Sequence, residues 1–147
     1  MSEVDLKLVF AVDASDSIEA WEWRLELAGI AAGLRDPEVR DAIAALPRRR
    51  IAVALLVWAD AKSRRDTSGW RLIDSDAAAD AFATEVDAFP RAIGGGTAMG
   101  EGVAEAVRMI LSSRYSSGRQ IIDVSGDGAE PLKAKEVQYT APATTAK

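Results

Sequence analysis

The chain opens with a dense apolar run, Leu6, Leu8, Val9, Phe10, Ala11 and Val12, that stops abruptly at acids and hydroxyls, Asp13-Ala-Ser15-Asp-Ser17. A run with so little alternation is the pattern of a strand buried on both faces, as parallel strands of α/β sheets are. A helical period follows over 18–34, where Ile18, Trp21, Leu25, Ala28 and Ala32 fall on one face. Asp16, with Glu19 three residues on, reads as a capping box at its start. Pro37 then opens a shorter helix over 38–46, and Pro47-Arg-Arg-Arg50 reads as a solvated basic turn, or less simply as a seat for an anionic partner.

The second buried strand is Ile51–Trp58, IAVALLVW. The polar run 61–68 reads as a loop, and Trp70-Arg-Leu-Ile73 as a short edge strand. Ser75 caps a helix over 76–89, with Ala78, Ala81, Phe82, Val86 and Phe89 on its apolar face. A glycine-rich stretch, 92–102 (AIGGGTAMGEG), leads into a helix carrying Val103, Val107, Ile110 and Leu111 at apolar spacing. A fourth strand, 119–124, ends in Ser125-Gly-Asp127-Gly128. Strands alternating with helices imply right-handed crossovers and an α/β, three-layer, doubly wound, mainly parallel sheet of Rossmann-like type. We therefore expect one domain over 1–128. The stretch 129–147 has low complexity, with one short strand at 137–140 and disorder from about Ala141.

Composition narrows the chemistry. The chain has 147 residues, a net charge of −5, no Cys and no His. Without these residues there is no thiol nucleophile, no disulfide, no zinc–thiolate site and no histidine-based catalytic triad. The acidic balance argues against nucleic acid as a partner. No apolar segment reaches the roughly 18–20 residues that cross a bilayer. The sequence enters its first strand at once, so as it stands it reads as soluble and cytoplasmic. Removal of a signal peptide in processing would instead place it in the periplasm or outside the cell.

Any metal bound by such a chain must be a hard cation held by oxygens. Asp13, Ser15 and Ser17 leave one strand end, Asp127 leaves another, and Thr97 opens a helix after a glycine-rich loop. In a parallel sheet these positions share the end where ligands bind. Each has an ordinary explanation too: Asp16, Ser17 and Thr97 as helix caps, and Asp127-Gly128 as a turn. Asp16 and Asp60 read as solvated surface at the rim. Trp21, Trp23, Trp58 and Trp70 read as packing, with Trp23, off the apolar face of its helix, the best candidate for an exposed contact.

The pattern Asp13-x-Ser15-x-Ser17, then Gly96-Thr97, then a strand running into Asp127-Gly128, resembles the metal-ion-dependent adhesion site of von Willebrand factor A domains. The wording LVFAVDASDS, RDPEV, GGGTAMGEG and IIDVSGDG resembles a bacterial A-like family of unassigned function. The resemblance covers 4–128. It implies Ser15 and Ser17 as direct hydroxyl ligands and Thr97 as a direct or water-mediated one. It implies Asp13 and Asp127 as ligands acting mostly through water. The cation would be Mg²⁺, or Mn²⁺ or Ca²⁺ in its place, with an open position for an Asp or Glu of a protein partner. Gly94, Gly95 and Gly96 would set the backbone that carries Thr97. The function so implied is a non-enzymatic, metal-dependent protein–protein interaction module.

Domains of that kind continue past the Asp-Gly strand with a further helix and one or two strands, which this sequence lacks. The strand at 121–124 would then be an exposed, aggregation-prone edge. Three explanations compete: a truncated or altered reading frame, cover by the 137–140 segment, or completion by another chain, whether a second copy in a homo-oligomer or a partner. Three other functions compete. An aspartyl-phosphate phosphatase of the haloacid-dehalogenase-like type would use Asp13, but position 15 is Ser where that chemistry needs a second Asp. A nucleotide cradle at 94–96 matches neither a G-x-G-x-x-G after a strand nor a P-loop. A degenerate A-fold would serve as scaffold without metal.

Overall fold

The computed structural model describes residues 2–59, 65–91, 99–125 and 134–139. Strand β1 (Ser2–Glu3) is followed by β2 (Lys7–Asp13), helices α1 (Ala20–Arg35) and α2 (Pro37–Ala44), and strands β3 (Ile51–Trp58) and β4 (Arg65–Ile73). Then come α3 (Asp76–Asp87), α4 (Met99–Ser112), β5 (Tyr115–Ser116), β6 (Gln120–Ser125) and β7 (Ala134–Tyr139). The main sheet has the order β4-β3-β2-β6-β7, and β1 pairs with β5 in a separate two-stranded ribbon. Strands β3, β2 and β6 are parallel, while β4 and β7 run antiparallel on the two edges. The molecule is thus a Rossmann-like α/β fold, with helices on both faces of a mixed sheet whose three central strands are parallel.

Alternation along the strands sorts side chains into two cores. Val12, Val53, Leu55 and Val57 point towards α1 and α3, where they meet Trp23, Leu27, Phe82 and Val86. Val9, Ala11, Leu56, Ile122 and Val124 point the other way, against Ala106 and Ile110 of α4. Every residue of β3 is buried, as its unbroken apolar run requires. Over β6 the α1 side is less fully covered. There Leu8 and Phe10 are only partly buried and line, with Leu25, Glu26 and Asp123, a groove of about 470 Å³.

Several local expectations need correcting. The buried face of α1 is Trp23, Leu27, Ala31 and Leu34, whereas Trp21 is 56% exposed and Leu25 is also exposed. Trp23 is therefore core and Trp21 the exposed indole. In the first turn of α1, Glu22 accepts the Glu19 amide at 2.9 Å, so the capping pair lies three residues later than the expected Asp16–Glu19 pair. Leu111 of α4 is exposed. In α3, Ala79 and Ala83 are buried with Phe82 and Val86, and Ala81 is exposed.

Residues 65–68, expected in a loop, belong to β4. The ladder is interrupted between Leu55 and Leu56, where β4 carries one extra residue and Gly69 takes a φ of +74°. At this bulge Ser68 Oγ accepts the Leu55 amide and Thr67 Oγ1 donates to the Leu55 carbonyl, both at 2.9 Å. The hydroxyls replace the missing ladder bonds, so the strand continues through a polar stretch.

At the amino end of β2, Lys7 is buried. Its Nζ donates to the carbonyls of Ile110, in the last turn of α4, and Tyr115, each at 3.0 Å. A cation suits a helix C-terminus, and burial lowers its pKa. The basic turn is not simply solvated. Arg48 pairs with Glu3, and the Arg48 and Arg50 amides donate to the Asp5 carboxylate. At the other edge, β7 lies along all of β6, from Gln120 opposite Tyr139 to Ser125 opposite Ala134. Of the covers expected for the β6 edge, the tail strand is the one found, over 134–139, and β7 becomes the outer strand.

Candidate functional site

Strand β2 ends at Asp13, which is 2% exposed and sits opposite Trp58 of β3 in register. The next amide, Ala14, still donates to the Trp58 carbonyl at 2.8 Å, so the turn leaves from a fixed strand end. Asp13 Oδ1 accepts the Ser15 amide at 2.7 Å, an Asx-type turn that folds the chain back over the carboxylate. The Ile18 amide closes the turn on the Ser15 carbonyl at 3.0 Å. This geometry brings Ser15 Oγ, buried at 1% exposed, to 3.2 Å from the exposed Ser17 Oγ.

The turn is held from outside by a residue that sequence reasoning missed. Arg91 Nη2 donates to the carbonyls of Ala14 (3.3 Å), Ser15 (2.8 Å) and Ile18 (2.6 Å). Its guanidinium lies over the Trp23 ring, 5.7 Å from the centroid, which joins the turn to α1. In sequence Arg91 is one basic residue after a helix-ending proline, and no periodicity or spacing marks it.

Helix α4 also reaches this end. Gly102 lies against the buried Trp58 indole so closely that a Cβ there would stand 2.6 Å from the ring. Trp58 is the cross-strand neighbour of Asp13, so the first turns of α4 lie beside the turn after β2. On the opposite sheet face, Glu26 of α1 and Ser125 at the end of β6 line the same groove. Burial pushes the Glu26 carboxyl above its usual pKa, partly offset by the nearby Ser125, and the carboxylates of Asp123, Glu22 and Asp13 add to the rise.

Asp13, Ser15 and Ser17 are thus brought together at the carboxyl end of the central strand. Thr97, two residues before α4, and Asp127, two residues after β6, lie outside the described residues, as do Asp60 and Gly94, Gly95 and Gly96. Among the described residues, no group of three or more His, Cys, Asp or Glu side chains is placed to hold a metal ion. A carboxylate cage is therefore not what the described residues offer. They offer a hydroxyl pair over a single buried acid. Two cis ligands of an octahedral Mg²⁺ at 2.0–2.1 Å stand roughly 3 Å apart, so the serine pair has a separation that one small cation can bridge.

No helix of the described residues is long and apolar enough to cross a membrane. No curated protein matches the chain. Among solved structures it is similar to the pilus adhesin SpaC from Lactobacillus rhamnosus GG, at 16% identity with a TM-score of 0.56. The match covers 85% of this chain and 16% of that one, and at this identity the likeness is one of fold. The family model described as "Protein of unknown function (DUF1194)" matches residues 3–147, and the chain belongs to that family.

Proposed function

We propose that the chain is a non-enzymatic interaction module that grips a carboxylate of a protein partner through a Mg²⁺ or Mn²⁺ ion. The ion would be held by Ser15, Ser17 and Thr97, with Asp13 and Asp127 behind them. The observation that carries this reading is the paired hydroxyls of Ser15 and Ser17, 3.2 Å apart above a buried Asp13 at the end of the central strand. The resemblance of Asp13-x-Ser15-x-Ser17, Thr97 and Asp127 to the adhesion site of von Willebrand factor A domains supports it. So does a fold similar to that of a pilus adhesin.

A bound cation would supply a Lewis-acidic position for the incoming carboxylate. The chain's own residues do the rest. Few direct carboxylate ligands leave the ion a net positive charge, so an anionic group from outside is needed to complete the site. The Asx turn fixes the Ser15 backbone on Asp13, and Arg91 fixes the carbonyl side of the same turn. Asp13 is poorly suited as a phosphate-accepting nucleophile: it is buried, one oxygen is engaged with the Ser15 amide, and Ser15 stands where a second acid would be needed.

Calorimetric titration with Mg²⁺ and Mn²⁺ tests the proposal on the wild type and on Ser15→Ala, Asp13→Ala and Thr97→Ala. We expect one site in the wild type and a loss of at least tenfold in affinity in each variant. A wild type that takes up neither ion at millimolar concentration would sink the reading and leave the fold as a metal-free scaffold.

A further inference from the structure

We propose that Arg91 is the residue that sets the cation choice of this site, turning it towards Mg²⁺ or Mn²⁺ and away from Ca²⁺; this rests on the metal-site reading above. The hydroxyl turn contains two kinds of oxygen that a hard cation can use, side-chain oxygens and main-chain carbonyls. Arg91 engages three of the carbonyls, those of Ala14, Ser15 and Ile18, through a single nitrogen. The Ser15 carbonyl also accepts the Ile18 amide, so both of its lone pairs are occupied. The Ser15 carbonyl is thereby closed to coordination, and those of Ala14 and Ile18 are turned towards a permanent cation.

The withdrawal affects the candidate ions unequally. Ca²⁺ takes six to eight oxygens at 2.3–2.6 Å and commonly completes its shell with backbone carbonyls, whereas Mg²⁺ keeps several waters and needs few protein ligands in a near-octahedral frame. A turn offering hydroxyls but not carbonyls suits the second ion. Stacking on Trp23, which is buried in α1, keeps the guanidinium in this position.

The test uses the full chain and three variants, Arg91→Ala, Arg91→Gln and Arg91→Lys. Kd for Mn²⁺ and for Ca²⁺ is measured by calorimetry, with Mn²⁺ electron paramagnetic resonance as a second readout. The expected result is a Ca²⁺-to-Mn²⁺ Kd ratio at least fivefold lower in Arg91→Ala and Arg91→Gln than in wild type. Arg91→Lys, which keeps a cationic donor, should restore most of it. Hydrogen exchange without metal should quicken at the amides of residues 14–18 in Arg91→Ala. If Arg91→Ala fails to fold, the Gln and Lys pair decides the question. A ratio that stays within twofold of wild type in the neutral variants, with both ions bound, overturns the inference and leaves the metal site standing. A wild type that binds no ion overturns the metal site itself, and ion selection with it.

Discussion

Gly102 is where one missing carbon carries the most structural information. Its nearest non-bonded neighbours are ring atoms of the buried Trp58, at 2.6–2.9 Å from where a Cβ would stand. Gly102→Ala should cost about 1–3 kcal/mol through overpacking, despite the gain in helix propensity. A Cβ at Gly29 or Gly33 of α1 would have nothing within 4 Å, so Gly29→Ala and Gly33→Ala should each stabilise by about 0.5–1 kcal/mol. Urea unfolding of the three variants checks both signs. Glu26 gives a pH signature. Its carboxyl binds a proton more readily in the folded chain than in the unfolded one, so stability falls as pH rises through the window between the two values. Glu26→Gln should therefore raise Tm at pH 7 and match the wild type below the ordinary carboxylate range, as thermal melts across that window would show. The sequence announces Asp13, Ser15 and Ser17 because their types and spacing are compressed into five positions. Arg91 escapes notice because its bonds go to carbonyls 73 to 77 residues away, which no local pattern encodes.

At the level of elements, β3 is read correctly from its unbroken apolar run, because eight β-branched and apolar residues between turn signals are too few for a buried helix and suit a strand buried on both faces. Helix α1 misleads for the opposite reason. Trp21 and Leu25 share the four-residue spacing of Trp23 and Leu27, so the sequence carries two apolar stripes and only the sheet decides between them. The second stripe goes inwards, where Trp23, Leu27, Ala31 and Leu34 join Val12, Val53, Leu55 and Val57 in one core, while Trp21 remains in solvent. Strand β4 exceeds its expected length because Thr67 and Ser68 bond to Leu55, contacts invisible until β3 and β4 are side by side. Strand β7 tests the sheet as a unit. It pairs with six residues of β6, among them Ile121, Ile122 and Val124. Ending the chain before residue 134 should cost about 2 kcal/mol or more by exposing these side chains. It should also produce concentration-dependent association through the bare β6 edge, measurable by sedimentation.

For the whole molecule, the three parallel strands place the proposed site at one end and the fastenings of the fold at the other. The turn after β2, Arg91 and the first turns of α4 lie at the carboxyl end, while the β1–β5 ribbon and Lys7 lie at the amino end. Strand β2 spans the distance between them, about 20 Å for its seven residues. A tether attached near Ser2 and a partner held at the Ser15 turn would pull along the axis of this strand. β2 is flanked on both sides by parallel neighbours, in register with β3 from Lys7 to Asp13 and with β6 from Lys7 to Val12. Tension in that direction would load both ladders in shear, so that many hydrogen bonds must yield together, whereas peeling β7 or β4 from an edge would open them one at a time. The central place of β2 therefore makes the fold mechanically stiff along the line between its amino end and the proposed grip.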